Sequence, residues 1–384
     1  MRRAGIALLA VLAACGSGWP PAFDEPVGAE RFARVAIADP DTALTFARID
    51  TGSESRVIAV TDYADGTVRG VDLAAVRGAA VSDPLPLYAA LGYDGVRALI
   101  RNAPAAAHVA VAAQRLTLPL ELGAHHIAAA TNYPEHAADA DVDDGPFLFA
   151  KLVQPTAATA PVAAGGALLD YEVELAWVTL APLAPGDEPA AMGLILCNDF
   201  TDRDALLRHL DPWDVASGAG FTTGKSAPGY LPVGDLFVIP RDHRRFAADL
   251  QLLLAVNGEL RQRAPARAMI WDFDALLAQA WAARERRWSH RGATVGLLAD
   301  PTVIPARTLL LAGTPHGTVF AGIQPRHYAA GLAGWMLGGW DQPLASRVID
   351  AYIADARRAG AYLQPGDRVE IQVDGLGVLR TPVI

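Results

Sequence analysis

The chain has 384 residues, of which 52% are hydrophobic and 19% charged, so it holds ample material for a core and is not compositionally disordered. Its 42 acidic and 32 basic residues give a formal charge of -10, which repels phosphate backbones and excludes a nucleic-acid-binding role. Cys15 and Cys197 are the only cysteines, too few for a disulfide framework or a cysteine zinc site. Of the basic residues only Lys151 and Lys225 are lysine, the rest being arginine. Where arginine fills the ordinary cationic positions, a surviving lysine marks a place that needs a compact ammonium and not a planar fork.

At the N-terminus Arg2 and Arg3 precede an apolar run from Ala4 to Ala14 that ends at Cys15. The run is too short to span a bilayer and suits the core of a signal peptide. Leu12-Ala-Ala-Cys15 resembles the bacterial lipoprotein signal, which implies lipidation at Cys15, a membrane anchor and a place in the cell envelope or outside it. Residues 16–30 then read as a tether. Cys197 would be left as a lone thiol, read as buried packing.

Residues 31–118 read as a small strand-rich unit without a catalytic cluster. Arg34–Ala38 and Ser55–Val60 are short and apolar, and Asp65-Gly66 is a turn signal. Residues 119–384 carry the chemistry. In that part Thr131-Asn-Tyr-Pro-Glu-His136 runs on to Asp139. Three residues apart on a helix, His136 and Asp139 share a face, and the carboxylate can orient the imidazole for deprotonating water. Asp141, Asp143, Asp144 and Gly145 look faintly like a calcium loop, but the glycine is one place late and Ala150 stands where the closing Glu belongs.

The segment Asp170–Val178 alternates. On a strand, Tyr171, Val173, Leu175 and Trp177 form one face and Asp170, Glu172 and Glu174 the other, with the two glutamates about 7 Å apart. Such a face needs either open water, as on an exposed edge, or a cation, as in a sheet interior. A second apolar run, Met192–Cys197, leads into Asn198-Asp199, and a helix is predicted over Arg203–Leu210. Glu172, Glu174 and Asp199 make a hard all-oxygen set suited to Mg²⁺, with Mn²⁺ or Ca²⁺ as alternatives. A further helix is predicted over Asp272–Arg287.

Taken together, Asn132-Tyr-x-x-His136, Phe149-Ala-Lys151, Asp170-Tyr-Glu-Val-Glu174, Asn198-Asp-x-Thr-x-Arg-Asp204, Thr223-Gly-Lys225, Val256–Gln262, Gly313-Thr-Pro-x-Gly317, Pro365–Glu370 and Asp374–Gly377 resemble the fumarylacetoacetate hydrolase superfamily in content and order. The resemblance implies an α+β, mainly β fold: a mixed β-roll preceded by the small N-terminal domain. It implies a divalent metal, usually Mg²⁺, on Glu172, Glu174 and Asp199, and water activation by His136 with Asp139. Lys225 would stabilise developing negative charge. Lys151 would contact substrate or support the metal ligands, Arg203 would bind a substrate carboxylate or brace the acids, and Thr314 would contact substrate. The implied activity is hydrolysis of a carbon–carbon bond in a 1,3-dicarbonyl or 2-oxo acid. Decarboxylation, hydration or isomerisation through a metal-bound enolate is the alternative, as is a non-catalytic oxo-acid-binding lipoprotein. A homodimer is the implied assembly.

The chain departs from the family pattern where Asp139 replaces a common Glu, at Ile304-Pro-Ala306, and at Ala312, where Thr is usual. The largest departure is an insertion over about 324–361, with a helix predicted over Leu344–Ala359. Three roles are open to it: a wall of the pocket, a dimer or membrane contact, or extra packing.

Overall fold

The structure, a computed structural model, describes residues 29–139 and 145–384. The expected signal, most of the tether and Cys15 lie outside the described residues, as do the acidic stretch 141–144 and the Asp139 side chain. No helix among the described residues is long and apolar enough to cross a membrane.

Ten strands lie side by side in one sheet. Their order is His108–Ala112, Thr67–Asp72, Ser55–Ala64, Ala43–Asp50, Phe237–Pro240, Gly193–Asn198, Val173–Val178, Leu309–Leu311, His126–Ala130 and Phe147–Lys151; an eleventh, Arg34–Val35, pairs with Ser55–Ala64. Leu309–Leu311 runs parallel to His126–Ala130 and antiparallel to Val173–Val178, so the sheet is mixed. A second sheet holds Glu259–Pro265, Gln251–Val256, Arg368–Val373 and Gly377–Pro382. It is tied to the first where the Val173 amide donates to Gln262 Oε1 at 2.9 Å.

The Asp65-Gly66 signal closes the hairpin between Ser55–Ala64 and Thr67–Asp72, with φ of 51° and 69°. Positive φ at both turn residues matches the right-handed twist of the flanking strands. Residues 31–118 also contain the helix Pro84–Arg101, which a strand-rich reading passes over. Its start is written in the sequence: Asp83 caps it through Oδ1 to the Leu85 amide (2.9 Å), and Pro84 occupies the first turn, where a missing N–H costs nothing. The strands of this N-terminal part extend the central sheet, Ala43–Asp50 pairing with Phe237–Pro240 and Phe46 stacking on Phe237.

A buried acid sits at this junction. Asp235 accepts from the Tyr63 hydroxyl (2.7 Å) and the Val378 amide (3.0 Å). Burial outweighs both bonds and pushes its carboxyl from 3.8 up to about 6. Between those values the native chain keeps a proton that the unfolded chain has released. Stability therefore falls as pH rises from about 4 to about 6 and levels off above, by roughly 3 kcal/mol. Asp235→Asn keeps an acceptor for Val378 and removes the titration. Denaturant midpoints across this window are expected to lose that fall, and an unchanged slope would contradict the assignment.

The inserted segment forms two helices, Pro325–Met336 and Leu344–Ala359, packed on each other. The second also lies against the helix Arg203–His209, with Arg208 on Asp350 at 2.8 Å and Arg357 on Asp204 at 2.5 Å. Met336, Leu337 and Trp340 at the turn between the two helices are exposed. The other predicted helix is shorter than expected: Phe273–Ala282, followed by the strand Arg287–His290.

Candidate metal and active site

Val173–Val178 is an interior strand flanked by Gly193–Asn198 and Leu309–Leu311. Its register sets Glu174 opposite Cys197 and Val173 opposite Asn198. Just beyond the paired ends, the Glu172 amide donates to Asn198 Oδ1 (2.8 Å) and the Asp199 amide donates to the Glu172 carbonyl (2.9 Å). These contacts bring Asp199 against the two glutamates. One carboxylate oxygen from each of Glu172, Glu174 and Asp199 lies within 4.8 Å of the others, and all three residues are buried.

The unbroken strand expected over 170–178 is corrected. Leu169–Asp170 is a separate short strand paired with Thr201–Asp202, and regular alternation begins at Val173. The cause is Asp170, whose carboxylate accepts from Arg203 Nε (2.8 Å) and from the Val319 (2.9 Å) and Phe320 (3.1 Å) amides. Those bonds hold the chain out of the ladder. The strand is no exposed edge, so an aqueous face for its acids is excluded as well.

Three cations meet these acids. Lys225, at the end of the helix Phe221–Lys225, donates to Glu172 Oε2 (2.6 Å), Asp199 Oδ2 (2.9 Å) and Thr201 Oγ1 (2.7 Å). Lys151, at the end of Phe147–Lys151, donates to Asp199, to the Tyr230 carbonyl (2.8 Å) and to the Phe200 carbonyl (3.4 Å). Arg203, the first residue of Arg203–His209, adds Nη2 to Glu172 Oε1 (2.7 Å). Both lysines of the chain are thus buried on one aspartate, in geometry a planar guanidinium could not reproduce.

Charge in this cluster is unbalanced. Burial alone would raise Glu172, but Lys225 and Arg203 outweigh it and hold the carboxyl at about 2. Glu174 has no ion pair among the described residues; its one hydrogen bond comes from the Gly313 amide (2.8 Å). Burial, then Asp199 and Glu172, push Glu174 well up. Gly313 makes that bond at φ 85°, where a Cβ would lie 2.9 Å from Asn132 Cβ, so a side chain there is excluded. Four buried carboxylates, counting Asp170, face three cations. Hard oxygen donors with surplus negative charge fit a divalent cation of the Mg²⁺ class.

Beside the cluster is a cavity of about 240 Å³. His136, Glu172, Arg203, Lys225 and Thr314 are among its lining residues. His136 comes from the helix Pro134–Asp139. Its Nδ1 is buried with no partner among the described residues, and burial pushes the imidazole down to about 4 against the attraction of Glu172, leaving it neutral at pH 7. Thr314 Oγ1 accepts from Gln262 Nε2 at 2.8 Å. Lys151 is corrected as a substrate contact. It is fully buried, does not line the cavity, and braces Asp199 from behind. Cys197 is buried packing beside Glu174.

Sequence reasoning did not assign Asp170, Thr201 or Gln262 to the site. Asp170 had a signal, since it lies on the same alternating face as Glu172. Thr201 and Gln262 fell inside two of the quoted motifs, Asn198-Asp-x-Thr and Val256–Gln262, but nothing local gave them a role, because their partners are distant in the chain.

The family model described as fumarylacetoacetate (FAA) hydrolase C-terminal matches residues 125–384. A Staphylococcus epidermidis protein, itself uncharacterised, is 25% identical over 268 residues, covering 66% of this chain and 67% of that protein. Among solved structures, a fumarylacetoacetate hydrolase from Exiguobacterium antarcticum is 20% identical, covering 88% of this chain and 99% of its own, with a TM-score of 0.55. A 2-hydroxyhepta-2,4-diene-1,7-dioate isomerase from Mycobacterium marinum is 19% identical, covering 89% and 98%, with a TM-score of 0.51. These likenesses are of fold: mixed, mainly β, with one large sheet.

Proposed function

The chain belongs to the fumarylacetoacetate hydrolase family, and we propose that it is a divalent-metal-dependent hydrolase. It cleaves the carbon–carbon bond between the two carbonyls of a 1,3-dicarbonyl such as an acylpyruvate. The observation that carries this reading is the buried Glu172–Glu174–Asp199 cluster opening through Glu172 onto a cavity that also holds His136 and Lys225.

Glu172, Glu174 and Asp199 would hold the cation. When bound, it supplies Lewis acidity toward a chelating dicarbonyl and offsets the surplus negative charge. The remaining steps fall to side chains. The neutral imidazole of His136, which lines the cavity, takes the proton of the attacking water, while the charge of Glu172 favours the imidazolium that results. Water adds to the acyl carbon and the bond to the methylene breaks. The released acid carries the water oxygen, and the departing enolate collects a proton to become pyruvate. The Lys225 ammonium, held in place by Glu172, Asp199 and Thr201, stabilises the enolate oxygen by its positive charge. Arg203 and Lys151 keep the acids in place.

The test is pyruvate release from acylpyruvates by the purified chain, with Mg²⁺ and with chelator. Release that requires the metal is expected. Carbon dioxide as the only product, a shifted double bond without cleavage, or no turnover would overturn the proposal.

A further inference from the structure

The cavity lining is of two kinds. The polar part is Glu172 of the acid cluster with His136, Arg203, Lys225 and Thr314. The apolar part, or wall, includes Leu206, Leu207 and Leu210, Val215, and Phe320 and Ile323. The leucines come from one side of Arg203–His209 and the residue that follows it. Phe320 and Ile323 lead into the first inserted helix, whose Tyr328 stands at the rim. Arg203 and Lys225 are the only lysine or arginine side chains among the described lining residues, and both donate to buried acids.

We infer that the substrate carries an uncharged apolar chain beyond its chelating head, and that a second, distal carboxylate is rejected. The inference rests on the hydrolase reading for the position of the head group at the acid cluster; the nature of the tail follows from the wall. A carboxylate entering the wall would lose its water and meet no uncommitted cation, which is strongly unfavourable, since the Arg203 guanidinium, 5.4 Å from the centroid of the Phe320 ring, is already paired with Asp170 and Glu172. Each methylene laid against leucine and phenylalanine instead gains affinity about fourfold, until the cavity is full. The inserted helices take a direct part, because Ile323 and Tyr328 belong to the segment that begins or borders them.

The experiment is a calorimetric titration of the Mg²⁺-supplemented protein with 2-oxo acids, which carry the head group but cannot be cleaved. One series is 2-oxobutanoate, 2-oxopentanoate and 2-oxohexanoate. The matched dicarboxylates are 2-oxoglutarate and 2-oxoadipate. Affinity is expected to climb about fourfold per methylene in the first series. Each dicarboxylate is expected to bind at least about tenfold more weakly than its length-matched partner. Leu210→Arg, with Ile323→Arg as a second variant, puts a cation into the wall and should reverse the order within each matched pair. A flat series, tighter binding of the dicarboxylates by the parent protein, or no binding at all would overturn the inference. The chain-length trend without any acylpyruvate turnover would leave the inference standing and remove the hydrolase reading; turnover with dicarboxylates preferred would do the reverse.

Discussion

Glu174→Gln is expected to raise the stability of the metal-free protein while removing the stabilisation that Mg²⁺ confers. Glu174 is buried against Asp199 and Glu172, and no cation of the described chain pairs with it. Glutamine keeps an oxygen for the Gly313 amide and deletes the like-charge contact, a gain on the order of 1 kcal/mol and a few degrees in melting temperature. The opposite sign appears when metal is added. A cation at a hundredfold excess over its dissociation constant stabilises the parent by about 2.7 kcal/mol. With one of three charged ligands gone, the variant should show almost none of this, and most of the metal-dependent turnover should be lost. Melting curves with and without Mg²⁺ measure both effects. A variant less stable without metal, or stabilised by Mg²⁺ as the parent is, would show that Glu174 is an ordinary buried acid.

Lys225→Met should behave in the contrary way. The Lys225 ammonium is buried, and its three hydrogens go to Glu172, Asp199 and Thr201. Burial alone would lower its pKa, but Asp199 and Glu172 outweigh that and raise it, so it is charged at neutral pH. Removing one member of a buried, hydrogen-bonded ion cluster leaves uncompensated charge and costs about 3–5 kcal/mol. The metal-free variant should melt well below the parent. Mg²⁺ should recover part of the loss, because it supplies positive charge to the same carboxylates. Turnover should not recover, since the fixed positive charge beside the enolate is gone; losing one such stabilising group costs about 10²–10³ in kcat. A metal-rescued variant with near-parental kcat would remove Lys225 from the chemistry and leave it a structural counter-ion.

Those two side chains illustrate what a sequence discloses. The acid pair was legible because period-two alternation put Glu172 and Glu174 on one face, and Asp199 because it follows an apolar run where a strand must end. Lys151 and Lys225 stood out as the two lysines among many arginines. What the alternation could not say was that Asp170 leaves the ladder. That depends on Arg203 and on two amides near residue 320, about 150 positions away. The same limit hid the pairing of Ala43–Asp50 with Phe237–Pro240, because a long-range ladder between two apolar strands has no local signature. It hid the apolar wall too. Leu206, Leu207 and Leu210 read as an ordinary helix stripe, and only their meeting with Phe320 and Ile323 makes them a pocket. The helix Leu344–Ala359, by contrast, has the predicted ends, because its pattern is local and Gly360 terminates it at φ 58°.

The most direct measurement is hydrolysis of an acylpyruvate in ¹⁸O-enriched water with Mg²⁺ present, followed by mass analysis of the released acid. Water attack at the acyl carbon, with His136 as base and the enolate leaving toward Lys225, puts one solvent oxygen into the carboxylate of that acid. Metal-dependent release with this label is the expected result. Release of carbon dioxide with an unlabelled fragment, or consumption of the substrate with its carbon skeleton intact, would contradict hydrolysis and assign the buried acid cluster to a different reaction.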